Sequence, residues 1–514
     1  MTSLPFTALS PLLMFAAALA FAAHPGRRPG RLLVVAEAAT LAALALGLAG
    51  LVQLWATGAQ TLSLGGGVVL RLDPVSATMA LLVSFVGWVV VRYARRYLDG
   101  EAREGAFHGL TLAAIAAVLV LVQASGLGVM ILGFIATGLV LRQLLLFYPD
   151  RAEARRAAAK FTLVWGAGDA ALIGAAGLLW AAFGTLDIAA LTAVGGLTLA
   201  GHAAVALLVL AAVLKTAAFP VHGWLTEVME APTPVSALLH AGIINAGGVM
   251  LITLAGLVSH SPGAMAALVM IGGVTALFGA LVMLTQSAVK TALAWSTVAQ
   301  MGFMLLQCGL GLWALALLHI VAHSLYKAHA FLSSGGAVQA VNAIRKPGPV
   351  AVPGLGAVGR SFALALVIHA GVATAFTLTL GEKSPQALAL GAMLIFGVSY
   401  LIAQGLADAA PRALTQRTVA ASLAAALAYF TFQVVAQAVW GPALPPVPVA
   451  GRLEWALIVL AVASFGLVAF AQALFPLWAH HPATAGLRVH LANGLYLNAL
   501  LDRAIGGFRA TPKS

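Results

Sequence analysis

Charged residues and cysteines are scarce in this sequence. Asp, Glu, Lys and Arg make up only 8% of the 514 residues, which leaves too little polar surface for a sizeable soluble domain. The single cysteine, Cys308, excludes a disulfide framework and any metal site built from several thiolates. These absences exclude the secreted disulfide-rich and multi-thiolate metal classes, and they leave the apolar majority of the chain to explain.

Hydrophobic residues make up 62% of the chain and the mean hydropathy is +1.01, as in proteins with many membrane spans. Apolar runs of roughly 20 residues, enough to cross a hydrocarbon core of about 30 Å, recur along the whole sequence. They predict an all-α polytopic membrane protein with about 15 transmembrane helices in one continuous membrane domain. The predicted spans are residues 4–23, 32–55, 74–91, 107–123, 127–147, 161–183, 200–219, 234–258, 263–285, 291–309, 312–338, 361–380, 387–407, 418–440 and 453–477.

Basic residues fall mainly on alternate connections between these spans. If the N-terminus lies outside, 21 basic residues lie in cytoplasmic connections and the C-terminal tail, and three lie outside: Arg71, Lys383 and Arg452. This positive-inside pattern explains the net charge of +12 as membrane topology, so the charge is no evidence for nucleic-acid binding. No basic residue precedes the first apolar run, so we expect that run to be a span and not a cleaved signal.

Lysine is used selectively in this chain. Of the 27 basic residues only seven are lysines, yet Lys215 and Lys327 lie inside apolar runs and Lys290 starts one. A lysine removed from water can release its proton near neutral pH, whereas arginine stays charged. Either cation inside the bilayer must face the bundle interior or water, and is a functional candidate by default. Two interpretations remain open, namely a proton carrier and an interhelical polar clamp.

Three prolines interrupt the chain after Lys215. Pro220 has no N–H to continue a helix, and Pro232 and Pro234 interrupt the chain again before the next span. Carbonyl groups freed at the end of a half-helix favour a cation one turn earlier, which is where Lys215 lies. Broken helices of this kind mark ion sites in many transporters. The pattern therefore favours a functional role for this lysine.

A second group of titratable residues lies in the segment HIVAHSLYKAHAF. His319, His323 and Lys327 recur at i, i+4 and i+8, which places them on one helix face with about 6 Å of rise per step. Water between the side chains would complete a proton relay. The alternatives are a structural polar face and a metal-binding histidine pair, although no third ligand is evident nearby.

Acidic residues inside the predicted spans are the possible partners of a buried lysine. Asp169 and Glu37 both qualify, and the sequence does not decide between them. Glu227 and Glu230 lie with Trp224 on a segment that we expect to be a short amphipathic element at the interface. For His369 a satisfied interhelical hydrogen bond is the alternative to a role in proton transfer. The weaker candidates for proton transfer are His369, Glu37, Glu227, Glu230 and Asp408.

Three segments resemble the proton-translocating antiporter-like family that includes subunit L (ND5-type) of respiratory complex I and the large Mrp antiporter subunits. They are KTAAFPVHGWLTEVMEAPTPVSALLHAG at 215–242, KTALAWSTVAQMGFM at 290–304 and HIVAHSLYKAHAFLSSG at 319–335. The resemblance implies two inverted five-helix repeats, each with a broken helix, around a central axis of lysines and histidines. The residues it implies for proton translocation are Lys215, His240, Lys290, His319, His323, Lys327 and Asp169.

The same resemblance divides the chain into five regions. These are N-terminal transmembrane helices (1–106), a first repeat (107–258), a second repeat (263–407), C-terminal transmembrane helices (408–477) and a cytoplasmic amphipathic tail (478–514). The chain also departs from the family. It has Ile135 in GFIATG where the family has a glutamate that partners the lysine, no lysine within 361–380, and no long lateral helix after the last span.

With these departures, the chain resembles the membrane subunits of the DAB family of two-component inorganic-carbon transporters. Two further segments contribute to this resemblance, LLLFYPDRAEARRAAAKF and LRVHLANGLYLNALLDRAIGGF. That resemblance implies a large soluble DabA-type partner on the cytoplasmic side, with a zinc site similar to β-carbonic anhydrase. Flow of protons or Na⁺ through this chain would then drive hydration of CO2 in the partner. We expect the chain to be a transporter subunit of the bacterial inner membrane, without a cofactor or enzymatic activity of its own.

Two other functions stay open at this stage. The chain could be a proton-pumping subunit of a complex I-like or Mrp-type cation/proton antiporter, or a passive membrane anchor. An anchor would tolerate the loss of every intramembrane lysine, whereas a transporter would not.

Overall fold

The computed structural model describes residues 4–65, 67–336, 354–405, 412–474, 478 and 481–506, and these are mainly helical. The first half contains α1 (Leu9–Ala20), α2 (Leu32–Thr57), β1 (Gln60–Ser63), β2 (Val69–Leu72), α3 (Pro74–Tyr97), α4 (Glu104–Gln123), α5 (Leu127–Leu145), α6 (Ala152–Phe183), α7 (Ile188–Thr192), α8 (Leu199–Lys215), α9 (Gly223–Thr226), α10 (Thr233–Ala241), α11 (Ala246–Thr253) and α12 (Ala255–Ser259). The second half contains α13 (Pro262–Met283), α14 (Val289–Gly309), α15 (Trp313–Ser333), α16 (Leu355–Leu380), α17 (Pro385–Gly405), α18 (Arg412–Trp440), α19 (Arg452–Ala473), α20 (Ala485–Ala492) and α21 (Leu497–Ala504).

Twelve helical segments among the described residues are long and apolar enough to cross a membrane. The all-α polytopic class predicted from the sequence is thereby confirmed, while the count of about 15 spans stays a prediction. Three predicted spans, 200–219, 291–309 and 387–407, coincide with α8, α14 and α17, which are not among the twelve. The helix α8 has only 17 residues because it ends at Lys215, before the predicted span does.

A short antiparallel hairpin precedes α3. β1 pairs with β2 from Gln60↔Leu72 to Ser63↔Val69. Asp73 then caps α3: its carboxylate accepts from the Ser76 N–H at 2.8 Å, and the Ser76 hydroxyl accepts from the Asp73 N–H at 2.8 Å. Arg71 donates to Thr253 Oγ1 at 2.9 Å, so the hairpin is tied to the end of α11.

Glycines allow α13 and α14 to approach closely. A Cβ at Gly272 would lie 2.5 Å from the Leu306 nitrogen and 2.7 Å from the Gly302 oxygen, so no larger residue fits there. Small residues of this kind are enriched where helices pack in membranes, because close backbone contact replaces the hydrophobic driving force that water provides. The helix α14 also packs against α15.

One helix of the first predicted repeat is broken, as expected. After Lys215 the backbone turns at Ala217, which has a left-handed φ of +52°, and α9 begins only at Gly223. The Trp224 indole N–H donates to the Leu214 carbonyl at 3.2 Å, which satisfies one of the groups freed at the end of α8. Non-glycine residues adopt such a φ mainly where the surrounding structure imposes it, often at functional sites.

The predicted break in the second repeat is not seen in its described part. The helix α16 runs without interruption from Leu355 to Leu380, because no proline lies between Pro353 and Pro385 to interrupt its hydrogen bonds. Residues 337–353 lie outside the described part. The proposed division into repeats stays a prediction.

The C-terminal segment folds back onto the helical bundle. Gln286, between α13 and α14, donates to the Ala492 carbonyl at 3.2 Å, and α21 packs against α9. The segment therefore contacts both predicted repeats on the side where the broken helix ends.

Candidate functional site

Lys215 is the last residue of α8 and its side chain is fully buried. Its Nζ donates a hydrogen bond to Asp169 Oδ1 at 2.6 Å and lies 3.4 Å from the Trp165 carbonyl oxygen. Both partners belong to α6, which packs along α8. Gly168 permits this approach, because a Cβ there would already lie 3.2 Å from the Lys215 Cγ and Cε. Of the two acids that the sequence left open, the structure pairs Asp169 with the lysine.

Two aromatic rings complete what we call the Lys215 site: Lys215, Asp169, Phe134 and Trp165. The Lys215 Nζ lies 4.1 Å from the centroid of a Trp165 ring and 4.6 Å from that of Phe134. Such contacts contribute up to about 2 kcal/mol when they are shielded from water. The Trp165 indole donates to the Phe134 carbonyl at 3.1 Å, which fixes the two residues relative to each other. One carboxylate and two ring faces thus hold the ammonium group.

The isoleucine at position 135 does not deprive the lysine of a carboxylate. Ile135 is a half-buried residue of α5, a helix that contains no acidic residue. The carboxylate reaches Lys215 from α6 instead, through Asp169. A buried ion pair of this kind is retained at a cost in desolvation, which makes a purely stabilising role a weak explanation for it.

His319, His323 and Lys327 lie along α15 as the spacing predicts, and we call them the histidine row. The ring centroids of His319 and His323 are 6.0 Å apart, and His319 Nδ1 contacts Gln307 Oε1 at 2.8 Å. His323 and Lys327 are buried. Within the described residues neither ring nitrogen of His323 has a hydrogen-bond partner, so in the neutral ring the nitrogen without a hydrogen is open to accept a proton.

A hydrogen-bonded connection joins His240 to Lys327 across three helices. His240 Nδ1 on α10 lies 3.0 Å from the Thr297 hydroxyl, which donates to the Leu293 carbonyl at 3.0 Å. The Lys327 Nζ donates to that same carbonyl, also at 3.0 Å. Because the hydroxyl has a single hydrogen, His240 must be the donor from Nδ1, which leaves its Nε2 as the acceptor. Sequence reasoning missed Thr297, since a lone threonine in an apolar helix gives no signal of its own.

Two further candidates are Lys290 on α14 and His369 on α16. Lys290 is a half-buried residue in the first turn of α14, three residues before the carbonyl of Leu293 that binds Lys327. His369 is 8% exposed; its Nε2 contacts the Leu388 carbonyl at 3.1 Å and its ring stacks on Phe430. This geometry is the interhelical hydrogen bond that was one of the two interpretations of His369.

The remaining acids have basic partners outside the Lys215 site. Glu37 lies 2.6 Å from Arg92 and 3.1 Å from Arg95, both on α3. Glu230 lies 3.1 Å from Arg151 at the surface. Asp408 lies outside the described residues. Of the prolines, Pro220 is exposed in the linker after α8, Pro232 is the N-cap of α10, and Pro234 lies in its first turn.

Glu227 belongs to a buried cluster that the sequence did not predict. Its Oε2 lies 2.6 Å from the Nζ of Lys160, a residue of α6 that is completely buried. Asp502 Oδ1 lies 2.7 Å from the same nitrogen, and Asn498 accepts a hydrogen bond from it at 2.8 Å. The basic-residue count had assigned Lys160 to topology alone. Its one sequence signal was that it is a lysine in a chain that otherwise favours arginine.

Metal binding was the least favoured interpretation of the histidine row. Across the part of the chain that the structure describes, no group of three or more His, Cys, Asp or Glu could hold a metal ion. The site thus consists of two sets of titratable groups, the Lys215 site at the end of the broken helix and the histidine row along α15.

Comparisons with known proteins concern the family and the fold of the chain. A family model described as NADH:quinone oxidoreductase/Mrp antiporter, TM matches residues 124–381, and one described as NADH-ubiquinone oxidoreductase (complex I), chain 5 N-terminus matches residues 60–108. The chain is 36% identical over 473 residues to a probable inorganic carbon transporter subunit, DabB2, of Halothiobacillus neapolitanus, covering 89% of this chain and 83% of the relative.

A second relative matches over a shorter region. The probable inorganic carbon transporter subunit DabB of Hydrogenovibrio crunogenus is 44% identical over 269 residues, which is 51% of this chain and 52% of that protein. Among solved structures, the Mrp complex from Dietzia sp. gives a TM-score of 0.64 at 24% identity, covering 98% of this chain and 59% of the matched chain. At that identity the likeness concerns the fold alone.

Proposed function

Since the chain belongs to the NADH:quinone oxidoreductase/Mrp antiporter family, in the branch of the DabB-type inorganic carbon transporter subunits, we propose that it is the membrane subunit of an energy-coupled inorganic-carbon accumulation complex. It is a multi-pass, cation-translocating transporter subunit. In the proposal it lies in the bacterial inner membrane with its N-terminus outside and its C-terminus in the cytoplasm. It conducts protons or Na⁺ and so drives hydration of CO2 in a soluble partner.

The Lys215–Asp169 pair is the observation that carries this proposal. The Lys215 ammonium is buried at the end of a broken helix, 2.6 Å from the half-buried carboxylate of Asp169. Loss of one proton converts the neutral pair into a site with a net negative charge, and rebinding restores it. The histidine row and the connection from His240 to Lys327 provide the second set of proton-binding groups. Lysine suits this role because its ammonium can deprotonate, whereas a guanidinium cannot.

The chemistry of hydration belongs in the partner. Conversion of CO2 and water to bicarbonate releases one proton, so a proton pathway in the same complex can pull the reaction forward. A Cys2His zinc site of the kind expected in a DabA-type partner needs two thiolates, and this chain has only Cys308. We therefore assign the zinc to a large cytoplasmic subunit and the ion flow to this chain.

The test is growth of a carbonic-anhydrase-deficient host in ordinary air. The host should grow when this chain and its DabA-type partner are expressed together, and should fail to grow with either subunit alone. Growth with this chain alone would overturn the division of labour.

Two further measurements separate the rival functions. A Lys215→Ala variant that still copurifies with the partner should not support growth, whereas a passive anchor would support it. Vesicles that contain only this chain should show no exchange of Na⁺ for protons, since such exchange would favour an Mrp-type antiporter instead.

A further inference from the structure

Four residues from distant parts of the chain form what we call the tail cluster: Lys160, Glu227, Asn498 and Asp502. The ammonium of Lys160 is fully buried and contacts oxygen atoms of all three other members at 2.6–2.8 Å. The Asn498 amide also donates to Glu227. Asn498 and Asp502 are one helical turn apart on α21, so one face of that helix supplies both.

The tail cluster lies at the linker between α8 and α10, residues 216–232, which includes α9. Glu227 comes directly after α9, and α9 begins at Gly223. A Cβ on Gly223 would collide with the Asn498 side chain, so α21 rests on α9 with no room between them. The position of α21 therefore constrains the position of the linker.

The linker in turn contacts the Lys215 site through Trp224. Its indole donates to the Leu214 carbonyl, the residue before Lys215, at 3.2 Å. Its ring lies 6.1 Å from that of Trp165, which itself faces the Lys215 ammonium at 4.1 Å. A continuous series of contacts thus runs from Asp502 on the tail to the ammonium group.

We propose that α21 is a positioning element of the Lys215 site, and that Lys160, Glu227, Asn498 and Asp502 hold the linker so that Lys215 stays paired with Asp169. The transport role of the Lys215–Asp169 pair rests on the proposed function. The positioning role does not, because the burial of Lys215 can be measured without transport.

The first experiment measures the accessibility of Lys215 in the purified full-length chain in lipid nanodiscs. Reductive methylation with formaldehyde and a borohydride, read by mass spectrometry of the peptide that contains Lys215, should show a protected lysine in the unmodified chain. Asp502→Asn should raise methylation of Lys215 by about tenfold, since the buried Lys160 ammonium loses one of the two carboxylates that pair with it. Asp99→Asn is the matched control, because it removes the charge of a carboxylate that pairs with Arg28 at the surface and is not a member of the tail cluster.

The second experiment restores the position of α21 without its charge. A cysteine pair, Gly223→Cys with Asn498→Cys, would have its Cβ atoms about 3.6 Å apart, within the range that a disulfide requires. The native Cys308 is buried and should not compete. In the Asp502→Asn background the oxidised pair should return Lys215 to its protected state, and the reduced pair should not.

The outcomes decide the proposal. Unchanged methylation in Asp502→Asn, or failure of the oxidised pair to restore protection, overturns the positioning role. If methylation follows the expected pattern while transport stays at the wild-type rate in Asp502→Asn, the positioning role stands and the transport role of the Lys215–Asp169 pair fails.

Discussion

Removal of the Asp169 carboxylate should disable the Lys215 site. In Asp169→Asn the ammonium stays fully buried with a neutral amide as its partner, and it keeps its contacts with the two rings. Breaking a buried ion pair by removing one partner costs about 3–5 kcal/mol. We expect the lower end, about 3 kcal/mol, because the amide oxygen still accepts a hydrogen bond, and this corresponds to roughly a hundredfold decrease in the equilibrium constant for folding.

Two assays together test this prediction. Thermal unfolding of the purified complex in nanodiscs should show a lower Tm for Asp169→Asn, and the variant should not support growth of the carbonic-anhydrase-deficient host in air. The double variant Asp169→Asn/Lys215→Met removes the unpaired charge as well, so its Tm should return to the wild-type value or exceed it. Growth should still fail, because the double variant has no group at this site that can bind a proton.

The role of the pair in transport and its role in stability can be tested separately. Wild-type growth with Asp169→Asn would refute the claim that transport uses the pair. A double variant as unstable as the single one would refute the claim that the unpaired ammonium causes the loss of stability. Asp169→Glu serves as the conservative control, since it keeps the charge and extends the side chain by one methylene.

Substitutions at Lys215, in the histidine row and at Thr297 give distinct expectations. Lys215→Arg should lose uptake nearly as completely as Lys215→Ala, because a guanidinium keeps its proton. Uptake by the arginine variant within about twofold of wild type, measured at several pH values, would refute the proton-carrier role and show that Lys215 acts as a fixed charge. His323→Ala and Lys327→Ala should each abolish uptake without loss of the folded complex, and the double variant should be little worse than either if both act in one relay. Thr297→Val should lower uptake by about tenfold, since His240 loses its hydrogen-bond partner. Thr297→Ser keeps the hydroxyl and should keep the wild-type rate of uptake. Equal uptake in the two variants would contradict the connection between His240 and Lys327.

The helical class and the candidate lysines could be read from local features of the sequence. Apolar runs separated by basic connections predict spans, and Lys215 before Pro220 stands out as a cation where none is expected. Those signals are local and need no knowledge of packing. Which acid pairs with Lys215 depends on how the helices pack. In the structure Asp169 contacts Lys215, and Glu37 contacts Arg92 and Arg95 instead.

Contacts between distant segments were beyond the sequence. Lys160 and Asn498 are separated by 338 residues, and nothing in either segment indicates that they meet. The same holds for Phe134 and Trp165, whose rings face the lysine but which look like ordinary apolar residues of a span. The predicted break in the second repeat came from the family resemblance and stays a prediction, since α16 is continuous and contains no proline while residues 337–353 lie outside the described part.

The pairing of Lys215 with Asp169 has an electrical consequence. While both groups are charged the pair is neutral overall, so the membrane voltage exerts little net force on it. In the proposed proton cycle Lys215 would give up its proton and leave one uncompensated negative charge, and a full charge crossing the membrane gains or loses about 2.3 kcal/mol per 100 mV. The voltage would then act on this site chiefly while it lacks a proton, and reprotonation of Lys215 would be the step at which the membrane potential does work.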